Sequence, residues 1–195
     1  MTYKQPLTTS RDDFLDNGSD VTFREAIYTL VLSVDQLLKC RDAFARALGL
    51  TSSQFAVLMG VASQQKSQGV AIKVLAEHVS LASTHVTTEV GRLERKGLLL
   101  KQGLEADRRM VLVSLTPAGE QAIDRIAPLV RDVNDLLFQN VSPSALSRAH
   151  RVARTIVANS PEALELARKH ARAAEAKPAP RRRTNAAQDA RSSEI

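Results

Sequence analysis

Tryptophan is absent from this 195-residue chain, the aromatic residues are only five Phe and two Tyr, and there is one cysteine. A core without large rings has to be built from aliphatic side chains, which favours a mostly helical protein. The single Cys40 excludes an internal disulfide framework and any cysteine-based zinc site. The four histidines, His78, His85, His150 and His170, show no metal-ligand spacing, so neither a metal nor another cofactor is expected. His-Glu-x-x-His, Gly-x-Ser-x-Gly and a phosphate-binding glycine loop are missing, which argues against an enzyme. No run approaches the roughly 20 apolar residues that cross a bilayer, and residues 1–20 hold no apolar stretch of signal-peptide length. A cytoplasmic protein without a membrane partner is the expectation.

What is present is a basic chain of a length that suits one domain with appendages. Lys and Arg number 27 against 21 Asp and Glu, a net charge of +6. From residue 171 onward six basic residues stand against three acidic ones, so half of the excess lies in the tail, around Lys177 and Arg181, Arg182 and Arg183. A basic balance of this size favours a polyanionic partner only weakly; where the charge sits matters more.

Residues 1–20 are polar and broken by Pro6 and Gly18, which reads as a flexible arm. Over residues 21–48 the apolar positions Phe23, Ile27, Leu30, Val31, Val34, Leu37, Leu38 and Phe44 recur every three or four residues, predicting a long amphipathic helix that Gly49 ends. Thr51 or Ser52 can cap a second helix with Phe55, Leu58, Met59 and Ala62 on its buried stripe. A short helix over residues 72–79, a tight turn at Ser80, Leu81 and Ala82, and a fourth helix over residues 83–96 give helix-turn-helix spacing. Gly97 then leads into two strands, 98–101 and 110–115. Thr116-Pro117 opens a long helix to about residue 139, in which Pro128 predicts a kink. The same cap-plus-proline device at Ser142-Pro143 and Ser160-Pro161 predicts two more helices, to residue 158 and over 162–174. Residues 175–195 have the composition of a disordered basic tail.

The fourth helix and the hairpin carry the chemistry. Val86, Val90 and Leu93 would face inward, leaving Ser83, Thr84, His85, Thr87, Thr88 and Arg92 outward. Hydroxyls at a helix start can touch base edges or phosphates, and an arginine can fork onto guanine; the competing reading is a capped, solvated helix. The hairpin adds Lys101, Arg108 and Arg109 near its tip, with Asp107 as the one acid placed to orient Arg109. A groove-reading helix followed by a basic β-wing is a winged helix-turn-helix.

Leu75-Ala76, the stretch from Val86-Thr87 through Arg92-Leu93-Glu94-Arg95-Lys96-Gly97-Leu98, and Asp107-Arg108-Arg109 followed by Val113, Leu115-Thr116 and Gly119 resemble the MarR family over residues 21–158. The resemblance implies a mostly α winged helix-turn-helix protein with a DNA-binding part at about 51–116 and dimerisation helices at 21–48 and 117–158. It also implies a homodimer on a pseudo-palindromic operator in double-stranded DNA, acting as a repressor that a small aromatic or phenolic acid releases. Phe23, Arg24 and Tyr28 on the first helix and Met59 on the second are the candidate effector contacts, against the plainer reading of dimer-core packing. In peroxide-sensing relatives a reactive cysteine lies early in the first helix, at a position that here holds Ile27, with Cys40 more than three turns later; thiol sensing through Cys40 is an alternative, as is a winged adaptor that binds protein instead of specific DNA.

Overall fold

The computed structural model describes residues 3, 5–104 and 107–175, with the side chains of residues 104 and 107–110 outside that description. The tail expected over 175–195 lies outside it from residue 176. The chain falls into two units, residues 1–138 and 139–195.

The first unit opens with a 3-10 turn, Asp12–Phe14, and continues as α1 (Val21–Ala47), α2 (Ser52–Gln64), β1 (Val70–Ala71), α3 (Ile72–Val79), α4 (Ser83–Arg95), β2 (Leu99–Leu104), β3 (Asp107–Leu115) and α5 (Pro117–Leu137). The helix boundaries follow from local chemistry. Thr51 accepts from the Gln54 N–H while Gln54 accepts from the Thr51 N–H, a capping box that starts α2. α1 and α4 end on left-handed glycines, Gly49 (φ 64°) and Gly97 (φ 73°), and in each case the next amide reaches back five residues: Leu50 to the Ala45 carbonyl and Leu98 to that of Leu93. α3 ends the same way on Ser80 (φ 54°), with Leu81 N–H on the Ala76 carbonyl.

The sheet is antiparallel in the order β1-β3-β2, with Leu99 opposite Leu115, Lys101 opposite Val113, and Val70 on the other side of Val113. Both wing strands run further toward the tip than expected from sequence. Their outer pairs, such as Gln102 with Leu112 and Gly103 with Val111, are held by backbone ladder bonds in a stretch of β2 exposed to solvent, where no apolar alternation marks a strand. β1, two residues long, has no periodicity to read.

Val57, Leu58, Val61, Leu75, Val86, Val90, Leu93 and Val113 form the fully buried centre. The stripe expected on α2 is corrected accordingly: Met59 and Ala62 are half-buried, while Val57 and Val61 are completely enclosed. α2 packs against α1, α3, α4 and β3, so more than one of its faces is inside. Cys40 packs half-buried against this core.

Residues 5–20, read from sequence as a flexible arm, are instead fastened to the start of α1. Thr8 donates its backbone N–H (2.6 Å) and its hydroxyl (2.7 Å) to Asp20 Oδ2, Arg24 Nη1 lies 3.0 Å from Asp20 Oδ1, and Phe14 stacks on Phe23 at 4.9 Å. The signal was hidden because it rests on one buried carboxylate among polar residues. The two Thr8 hydrogen bonds hold the Asp20 carboxyl below the usual range, overcoming the opposite push of burial, with Arg24 assisting. A lowered folded pKa stabilises fully above the unfolded value of about 3.9 and loses that effect as pH falls through the folded value. The arm is therefore expected to stay docked at neutral pH and detach only in acid below the ordinary carboxylate range. Asp20→Ala should expose the bond after Arg11 to trypsin at pH 7; equal cleavage of variant and parent would contradict the anchor.

The second unit contains α6 (Pro143–Glu175), one continuous helix where two were expected. Ser142 Oγ accepts from Ala145 N–H and caps it. Ser160-Pro161 does not break the helix, because Ser160 Oγ donates to the Val157 carbonyl at 2.8 Å, the acceptor that the missing Pro161 N–H would leave empty. No single helix among the described residues is long and apolar enough to cross a membrane.

Candidate nucleic-acid interface

α3, the Ser80 turn and α4 form the helix-turn-helix. Val86, Val90 and Leu93 anchor α4 from below, and Ser83, Thr84, His85, Thr87, Thr88 and Arg92 lie exposed along its other side, as read from sequence. The capping explanation for the hydroxyls does not hold, since the N-cap is Ala82 and no side chain caps the helix. Thr87 and Thr88 donate instead to the carbonyls of Ser83 (2.8 Å) and Thr84 (3.0 Å). Both side chains are exposed, and donating their hydroxyl protons leaves oxygen lone pairs able to accept from base amines.

Two acids that sequence reasoning passed over shape this surface. Glu89 is buried, 3% exposed, on the exposed side's flank of α4; its Oε1 takes Arg92 Nη1 at 2.7 Å and lies 3.5 Å from His85 Nε2. Arg92 is therefore not a free side chain. The signal was available: Glu89 falls three residues after Val86 and four before Leu93, a charge at a stripe position. Lys101 on β2, expected to lack a partner other than Asp107, instead pairs with Glu94 of α4 at 2.6 Å, which ties the wing base to the helix. The expected pairing of Asp107 with Arg109, and the placement of the Arg108 side chain, lie outside the described residues.

The wing is fixed at its root. Thr116 N–H donates to the Leu98 carbonyl (3.1 Å), the Thr116 hydroxyl donates to the Gly97 carbonyl (2.6 Å), and Leu115 N–H donates to Gln65 Oε1 (2.9 Å). The turn out of α4, the end of β3 and the start of α5 are thereby stitched to one another and to the end of α2.

The four effector candidates are not gathered in one place in the chain. Arg24 is engaged by Asp20 and by the Pro6 carbonyl (3.2 Å), Phe23 by Phe14, and Tyr28 is 67% exposed. Met59 borders a cavity of about 260 Å³ with Arg41, Phe55, Ala56, Gly60, His78 and Val79. Arg41 sits on α1 eighteen residues after Phe23, roughly 27 Å away at a rise of about 1.5 Å per residue. The sequence could not show this, because the arm that occupies Phe23 and Arg24 has no periodic signature.

Comparison with known proteins agrees with this architecture. The family model "Transcriptional regulator SarA/Rot" matches residues 42–126, from the last turns of α1 into α5. The transcriptional activatory protein BadR of Rhodopseudomonas palustris is 29% identical over 120 residues, covering 60% of this chain and 69% of that protein. Among solved structures, Sco3205, a MarR family transcriptional regulator from Streptomyces coelicolor in complex with DNA, superposes with a TM-score of 0.59 at 22% identity, over 70% of this chain and 89% of that one. BpsR of Bordetella bronchiseptica, whose DNA binding is regulated by 6-hydroxynicotinic acid, gives a TM-score of 0.56 at 21% identity, over 68% of this chain and 98% of that one.

Proposed function

We propose that this chain, which is similar to winged helix-turn-helix transcriptional regulators of the MarR and SarA/Rot type, works as a homodimeric repressor. Its two winged modules would read the halves of a pseudo-palindromic operator, and a small aromatic acid would release it. The observation that carries the DNA reading is the polarity of α4: one face wholly buried, the other lined by hydroxyls, His85 and Arg92. The dimer is supported by the exposed apolar row on α1, Ile27, Leu30, Val31, Val34, Leu37 and Leu38, too much apolar surface for a helix left in water.

The effector part of the proposal draws on BpsR and on the Arg41 cavity. That cavity offers an aromatic wall (Phe55), a soft one (Met59) and two groups for a carboxylate, Arg41 and His78. A ligand there changes operator affinity only if it favours one arrangement of the modules over another, a coupling of about 1–3 kcal/mol in ordinary cases.

The test uses a duplex selected by the full-length protein from a randomised pool. Arg92→Ala should cost about 1–3 kcal/mol on that duplex and relax base preference, whereas Arg109→Ala on the wing should weaken all duplexes evenly. A hydroxynicotinate- or benzoate-type acid should weaken binding of the parent and not of Arg41→Ala. Arginine variants that bind the selected duplex like the parent would remove the DNA-reading assignment; acid sensitivity retained in Arg41→Ala would remove the cavity.

A further inference from the structure

We propose that Glu89 is a specificity-determining residue: a buried carboxylate that aims Arg92 and His85 at the bases and keeps Arg92 off the phosphates. The inference rests on the proposed role of α4 as the DNA-reading helix and adds to it the device that makes the reading selective.

Glu89 occupies a place where an apolar side chain would be the simpler choice. It lies between Val86, Val90 and Leu93, all without exposed surface, and its second oxygen, Oε2, is buried with no hydrogen-bond partner among the described residues. Taking a carboxylate out of water is costly unless it is paired, and even a paired one seldom improves on a well-packed apolar residue. Stability therefore gives no reason for an acid here. What the acid does is visible in its partners: Arg92 at 2.7 Å and His85 at 3.5 Å, one turn to either side, each with about half of its side chain exposed.

A guanidinium held through Nη1 loses most of its freedom and keeps its other N–H donors for an outside acceptor. An unheld arginine on a DNA-facing helix settles on the nearest phosphate, which carries no sequence information. A held one reaches base edges, where a forked contact to guanine discriminates. The Glu89 charge also cancels part of the Arg92 charge, which lowers attraction to any duplex and leaves the geometry-dependent contact to decide. Glu89 is thus a positioning residue that acts through Arg92 and His85 and does not itself touch DNA.

The experiment compares the parent, Glu89→Gln, Glu89→Leu, Arg92→Ala and the Glu89→Leu/Arg92→Ala double variant. Two probes are used: the duplex selected by the parent from a randomised pool, and calf-thymus DNA. For Glu89→Leu the ratio of the two affinities should fall about tenfold, the size of one lost base contact. Its binding to calf-thymus DNA should be unchanged or tighter, with a salt slope steeper by about one as Arg92 gains a phosphate. Glu89→Gln keeps an acceptor for Arg92 with almost the same shape and should fall between parent and Glu89→Leu. In the Arg92→Ala background, removing Glu89 should change the ratio far less, because the group it positions is gone.

A merely structural Glu89 would change melting temperature and leave the ratio and its dependence on Arg92 alone. Variants that discriminate as sharply as the parent would overturn the inference while the DNA-reading role stands. A parent that selects no sequence from the pool would overturn both.

Discussion

Replacing Val31 and Val34 together with glutamate is expected to turn the protein into a monomer and to lower its affinity for a two-half-site duplex by about a hundredfold or more. Both residues lie on α1 and are 62% and 53% exposed in the single chain, so the change leaves the core of Leu58, Leu75 and Leu93 untouched. They stand in the middle of an apolar row spaced three and four apart, which a helix in water would not keep. An interface between identical copies brings each patch against its own counterpart, so one substitution places the new charges on both sides and near one another. Affinity falls steeply because a dimer engages its second half-site intramolecularly, whereas two monomers must each bind alone. Sedimentation should show the parent as a dimer and the variant as a monomer of unchanged helicity. A variant that remains dimeric, or a monomeric parent, would remove α1 from the interface.

Gly119→Ala is expected to be the most destabilising conservative change in the winged module. A Cβ at Gly119 would lie 2.2 Å from the Leu98 carbonyl oxygen and 3.2 Å from Leu115 Cδ2. The first is a backbone atom and cannot swing aside. The first turn of α5 would have to back away from the root of β2, which also stretches the bond from Thr116 N–H to that same carbonyl. Overpacking costs about 1–3 kcal/mol and a lost hydrogen bond about 1 kcal/mol more. For a protein of this size a loss of that order lowers Tm by about 5–15 °C. Gly91 is the control: it lies inside α4 with nothing within 4 Å of a new Cβ, so Gly91→Ala should raise stability by up to about 1 kcal/mol. A Gly119→Ala protein that melts with the parent would contradict the close approach of α5 to Leu98.

The helical framework was legible because its signals are local and repeated. The α1 spacing, the Thr51 cap, the glycines at 49 and 97 and Thr116-Pro117 each specify an element boundary, and the structure places those boundaries there. The outward set on α4 followed from the inward set of Val86, Val90 and Leu93. What was not legible depends on single long-range partners. The arm is tied down by Thr8 reaching Asp20, Lys101 is claimed by Glu94, and Pro161 is absorbed by the Ser160 hydroxyl. None of these produces a period. Glu89 is the intermediate case, a charge in an apolar stripe that could have been noticed by its register alone.

Binding of duplex DNA by α4 and the wing should be visible in the salt dependence of Kd for the full-length protein on the selected duplex, over roughly 50–200 mM monovalent salt. Each phosphate neutralised contributes a slope of about −0.9 in log K against log salt, so a dimer docking two basic modules should lose on the order of a thousandfold in affinity across that range. The expected result is that steep line, shallower for Arg109→Ala. A binding constant that does not move with salt, or no binding to any duplex at the low end of the range, would mean that α4 and the wing do not bind duplex DNA.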